Sequence, residues 1–173
     1  ARDQAVTRNA RRVAASLWVW APLAAALLVE LPAASALDVP PFSGLVIDQA
    51  NLLSPAERSA LDAKLTAYQQ KTGQQFALLT VPALGGQPIE DFGIKVADAW
   101  KIGDKKRDDG LIFIIAPEDR AMRIEVGQGL EGSIPDVIAA RVIRDVVAPA
   151  FRAGAYAQGI DSAFDTLIRA ASG

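Results

Sequence analysis

The stretch Arg107–Gly132, RDDGLIFIIAPEDRAMRIEVGQGLEG, decides the fold. Leu111–Ala116 and Ala121–Val126 are apolar, strand-like runs. Pro117-Glu118-Asp119-Arg120 between them reads as a turn. A four-residue link makes the two runs antiparallel neighbours. Two acids and a glycine open this unit, and a glycine-rich acidic loop closes it. Carboxylates therefore stand at loops beside a sheet, where functional groups concentrate. Asp108, Asp109, Glu125, Glu131 and Asp136 are the candidates for chemistry or cation binding.

Working outward, Leu45–Asp48 is a short strand ending in an acid. Ser54-Pro55-Ala56-Glu57 is a helix start, with Ser as N-cap, Pro at the first helical position and Glu placed to close a capping box. Gly73 ends that helix. Gln75–Val81 is a buried strand closed by Pro82. Pro88 opens a second helix, with Phe92, Val96 and Trp100 on its buried face. Lys101–Gly110 is a highly charged loop. Downstream, Pro135 or Asp136 opens a third helix with Ile138, Val142 and Val146 facing inward, and Pro149 ends or bends it. A fourth helix spans Tyr156–Ala170, with Ile160, Ala163, Phe164 and Leu167 as its core face. The expected class is α/β: an αβα layered sandwich on a small mixed sheet that includes one antiparallel hairpin.

Composition narrows the function. The chain has 173 residues, is 51% hydrophobic and carries a net charge of −2, which suits one compact core and gives no basic field for nucleic acid. It has no cysteine and no histidine. That excludes disulfides, a Ser-His-Asp triad and zinc sites built on imidazole or thiolate. Carboxylates and carbonyls favour hard cations, calcium or magnesium.

Residues 13–29, VAASLWVWAPLAAALLV, are uncharged and follow Arg8, Arg11 and Arg12. They read as a transmembrane signal-anchor within residues 1–36, or as a signal peptide cleaved after Ala34-Ser35-Ala36. The length of the run favours the anchor. Either way the arginines stay cytoplasmic, and the chain from Leu37 onward lies outside the inner membrane. Removing the four arginines and two acids of residues 1–36 from 18 basic and 20 acidic residues leaves 14 and 18, a net charge of −4. Residues 37–43, with Pro40 and Pro41, read as a linker, and residues 44–171 as the folded domain.

The order of VIDQANLLS, TGQQFALLTV, PIEDFG, AWKIG, DDGLIFIIAPEDRAMRIEVGQGLEG and VVAPAFRAGAYAQGI resembles the TPM domain family, from about Leu45 to Leu167. The resemblance implies an exported or membrane-tethered α/β domain, here in the periplasm of a bacterium and held by its N-terminal helix in the lipid bilayer of the inner membrane. One thylakoid-lumen branch of that family is tied to photosystem II maintenance and described as an acid phosphatase. Other members bind calcium or are accessories of neuronal receptors. The implied role is an accessory, assembly or maintenance subunit of a membrane protein complex; a metal-dependent acid phosphatase is the alternative.

The family's acidic positions fall on Asp48, Asp108, Asp109 and Glu131. These four are expected to converge at one end of the sheet and bind a hard cation, calcium ahead of magnesium. No recognisable nucleophile is present, so the reading leans away from an enzyme. Gly127-Gln128-Gly129 lacks the rest of a dinucleotide fingerprint, so no nucleotide or organic cofactor is expected. Glu125 alternates with Ile124 and Val126 and is expected on a solvated strand face. Lys105-Lys106-Arg107 is expected to be a solvated loop.

Overall fold

Four of the apolar runs form one sheet: β1 (Val46–Asp48), β2 (Gln75–Thr80), β3 (Gly110–Ala116) and β4 (Ala121–Val126). The computed structural model describes residues 37–173, so the anchor expected in residues 1–36 lies outside the described part. The strand order is β1-β2-β3-β4. β1, β2 and β3 run parallel, and β4 returns antiparallel to β3, with Leu111 opposite Val126 and Ala116 opposite Ala121. β3 is buried at every residue, as an Ile/Leu/Phe run covered on both faces should be.

Side chains of the central strands alternate between two cores. Phe76, Leu78, Leu111, Phe113 and Ile115 face one layer, shared with α1 (Pro55–Thr72), α3 (Asp136–Val142) and α5 (Tyr156–Ser172). Ala77, Leu79, Ile112, Ile114 and Ala116 face the other, shared with α2 (Ile89–Trp100). The expected α/β sandwich with a small mixed sheet is present. The crossovers through α1 and α2 step across the sheet in the same direction on opposite faces. They therefore have opposite hands, and one departs from the usual right-handed rule.

Local chemistry explains the helix ends. The Ser54 hydroxyl accepts from the Glu57 N–H at 3.3 Å, and the Glu57 carboxylate accepts from the Ser54 N–H at 2.8 Å, a complete capping box. Pro149 neither ends nor simply bends the third helix. Its missing N–H breaks the ordinary ladder, and a π-helical turn over Ile143–Val147 carries the chain into the short α4 (Ala148–Arg152). The wider turn moves the inward position along by one: Val142 and Val147 are buried, while Val146 is only half-buried.

Residues 37–43 are extended but packed rather than free. The Trp100 indole N–H donates to the Pro40 carbonyl at 2.7 Å, and Phe42 lies against Trp100 with ring centroids 5.2 Å apart. Leu37 and Val39 extend the α2-side core. A buried indole needs an acceptor for its N–H, and this segment supplies it.

Candidate functional site

The four expected acids do not converge. β1 ends at Asp48 beside Thr80, the last residue of β2, whereas Asp108 and Asp109 precede Gly110, which pairs with Gln75 at the start of β2. Parallel strands put their starts at one end of the sheet and their finishes at the other. Asp48 and the Asp108-Asp109 pair therefore occupy opposite ends. Among the described residues, no three His, Cys, Asp or Glu side chains gather where they could hold one metal ion. The four acids together do not form a cation site.

At the Asp48 end the carboxylate is 7% exposed and fully engaged. The Leu52 N–H donates to Oδ1 at 3.0 Å and the Leu53 N–H to Oδ2 at 2.9 Å. The Thr80 hydroxyl donates to Oδ1, and its oxygen accepts from the Ala50 N–H at 3.0 Å. This set of backbone and hydroxyl donors compensates a buried charge. It folds the turn between β1 and α1 back onto the sheet.

At the other end, Asp109 is 4% exposed. The Asp104 N–H donates to its Oδ1 at 2.9 Å, and the Arg107 Nε–H donates to its Oδ2 at 2.6 Å. That carboxylate raises the pKa of Arg107. A guanidinium already beside Asp109 opposes a cation there. Asp104 accepts from the Lys106 and Arg107 N–H groups at 2.9 and 3.1 Å, and these two bonds hold its carboxyl below the usual range. The 101–109 loop is thus stapled from inside.

Asp108 differs. It is exposed, sits in the left-handed region at φ 46°, and accepts from the Gln128 N–H through Oδ2 at 2.9 Å. Its carbonyl accepts from the Gly129 N–H at 2.9 Å. Gly127 and Gly129 are required here: a Cβ on either would collide with the backbone carbonyl of Asp108 or Arg107. Asp98, Asp104, Asp108 and Glu125 line one open cleft of about 580 Å³, together with Lys101 and Lys105.

Glu131 and Asp136 line a separate groove along the free edge of β4, so Glu131 does not join Asp108. Glu125 is half-buried rather than on a fully solvated face. It pairs with Arg123 and packs against Gly93 of α2, and the pairing raises the Arg123 pKa. Strand alternation placed Glu125 opposite the α1-side core, but α2 covers that face. Lys105, Lys106 and Arg107 are all exposed, as expected of a solvated loop, and Arg107 in addition pairs with Asp109. Thr80 and Arg107 were missed as partners. The signals were a hydroxyl closing the strand beside Asp48 and a cation two residues before a buried acid.

The fold and the loop cleft define a small α/β sandwich whose acids mainly secure loops. A family model for the TPM domain matches residues 46–170. The solution structure of the N-terminal domain of a protein from P. gingivalis is 36% identical, with 73% of this chain and 80% of that chain covered at a TM-score of 0.68. The chain belongs to the TPM domain family. Two further solution structures share the fold. The N-terminal domain of the cg2496 protein from Corynebacterium glutamicum is 16% identical, covering 79% of this chain and 85% of that one at a TM-score of 0.56. The BA42 protein from the psychrophilic bacterium Bizionia argentinensis is 19% identical, covering 69% and 81% at a TM-score of 0.57. None of the curated proteins compared with the chain matches it.

Proposed function

We propose that this TPM domain is a membrane-tethered, extracytoplasmic accessory domain that serves the assembly or maintenance of a membrane protein complex. The observation that carries the non-catalytic part is the engagement of both buried acids, Asp48 and Asp109, in holding loops. The uncharged run at residues 13–29 behind Arg8, Arg11 and Arg12 supports the tether, with residue 1 in the cytoplasm and the domain in the periplasm. Among the described residues, no helix is long and apolar enough to cross a membrane, so the tether falls to residues 1–36.

Native purification of the full chain in mild detergent tests the reading. A stoichiometric membrane-protein partner is expected, and a lone monomer under all conditions would argue against it. N-terminal sequencing of the native protein tests the tether: a mature terminus at Leu37 replaces the anchor by a cleaved signal.

A cation-responsive loop is part of the same reading. Of the four expected acids, Asp108 lines the open cleft with Asp98, Asp104 and Glu125, whereas Glu131 lines the separate groove along β4. Calcium, ahead of magnesium, accepts carboxylates, carbonyls and water together. With one or two carboxylates, binding belongs in the millimolar range of extracellular modules. The hydrolytic alternative is decided on the same sample, where phosphate-ester turnover abolished by Asp108→Asn would replace the accessory role by a metal-assisted phosphatase.

A further inference from the structure

A crevice of about 570 Å³ opens at the end of β3 opposite the Asp108 loop, between the β3–β4 turn and the α4–α5 corner. Its size falls within the range of small-molecule sites, and it lies at the carboxyl end of β3, beside the hairpin turn into β4. Ile115, Met122, Phe151 and Tyr156 give it apolar walls. The Phe151 and Tyr156 rings meet edge to face, with centroids 4.9 Å apart at 80°. Arg120 and Arg152 also line it, both exposed. Neither forms an ion pair with a described carboxylate.

Two exposed arginines alone are ordinary surface charge. The backbone adds more. Arg120 sits at φ 53°, in the left-handed region that glycine or asparagine occupies at lower cost. That position closes the four-residue hairpin turn, where the Arg120 N–H donates to the Pro117 carbonyl at 3.1 Å, so the turn fixes Arg120 at the crevice wall. The opposite wall begins at Ala148, directly after the π-helical turn Ile143–Val147, and such turns recur at functional sites.

We infer that this crevice binds a single-chain anionic amphiphile, its carboxylate held by the Arg120 and Arg152 guanidiniums and its apolar chain laid against Phe151 and Tyr156. A guanidinium matches a carboxylate through paired N–H donors. The chain is favoured because it removes apolar surface from water. A bare inorganic anion leaves the apolar walls unfilled, and an uncharged hydrocarbon leaves the guanidiniums without a partner.

The test is calorimetric titration of octanoate into the full chain held in neutral phosphatidylcholine nanodiscs. Octanoate should bind, with octanol and inorganic phosphate each at least tenfold weaker. Arg120→Gly and Arg152→Gln should each weaken octanoate at least tenfold. Arg120→Gly also relieves the left-handed backbone, so its melting temperature should not fall, which separates lost recognition from lost folding. Octanoate binding unchanged in both variants, or phosphate binding as tightly as octanoate, would overturn the inference. An arginine-dependent rise in melting temperature in phosphatidylglycerol nanodiscs, with no octanoate binding, assigns the anion to the bilayer and overturns the free ligand.

Discussion

The two ends of the sheet use buried acids differently. Asp48, where β1 finishes, is closed in by backbone N–H groups and the Thr80 hydroxyl. Asp109, at the mouth of β3, is held partly by a guanidinium that is itself 56% exposed. Its neighbour Asp108 lines a cleft. A buried acid whose oxygens are taken by local donors fixes a turn. Asp108, exposed and at a left-handed backbone position, takes one such donor, the Gln128 N–H. Composition does not separate the two cases; the donor set around each oxygen does.

The largest effect should come from the closed end. Asp48→Ala leaves the Leu52 and Leu53 N–H groups and the Thr80 hydroxyl without their acceptor. The expected loss is about 3–4 kcal/mol, read by urea unfolding. A loss within the range of an exposed surface substitution would erase the distinction between the ends.

Next comes the packing of the two loops at the open end. A Cβ at residue 129 meets the Arg107 carbonyl, a backbone atom with little room to yield. Gly129→Ala should cost about 2–3 kcal/mol, and Gln128 should lose amide-exchange protection with it, since its N–H bonds Asp108. Full protection in the variant would mean that the 107–108 backbone moves freely.

Asp109→Asn should cost less, about 1–2 kcal/mol. The amide oxygen still accepts from Asp104 N–H, and Arg107 can turn to water because it is exposed. If this variant proves as damaging as Asp48→Ala, the guanidinium staple is stronger than the comparison allows.

The smallest effect is acid loosening of the 101–109 loop. Asp104 has a depressed folded pKa, chiefly through the Lys106 and Arg107 N–H bonds. A depressed acid stabilises the fold above its unfolded pKa and loses that contribution as pH falls through the folded value. Protection of the Lys106 and Arg107 amides, relative to their intrinsic exchange rates, should therefore fall below about pH 4, and Asp104→Asn should flatten that dependence. A profile identical in both proteins would remove Asp104 from the account.

Much of the fold was legible in residues with one conformational meaning. Ser54 with Glu57 located a helix start, and the PEDR turn located the hairpin. Pro149 was legible as a disturbance but not as a π turn, because a missing N–H does not say how the ladder is repaired. The site was less legible. Expecting Asp48 beside Asp109 overlooked strand direction: β1 finishes where β2 and β3 finish, while Asp109 stands where β3 starts. Glu125 was read correctly as facing away from Ile124, but the cover that α2 gives that face is a tertiary fact that alternation does not contain.

In the proposed reading it is the Asp108 end, and not the Asp48 end, that responds to a cation. The direct measurement is the melting temperature of the full chain against calcium, for the unmodified protein, Asp108→Asn and Asp48→Asn. At about ten times the dissociation constant, binding to the folded state alone adds about 1.4 kcal/mol, a rise of a few degrees for a domain of this size. That rise is expected in the unmodified protein, is lost in Asp108→Asn, and returns as the same increment from a lower baseline in Asp48→Asn. No rise at millimolar calcium, or a rise that survives Asp108→Asn and vanishes in Asp48→Asn, would contradict it.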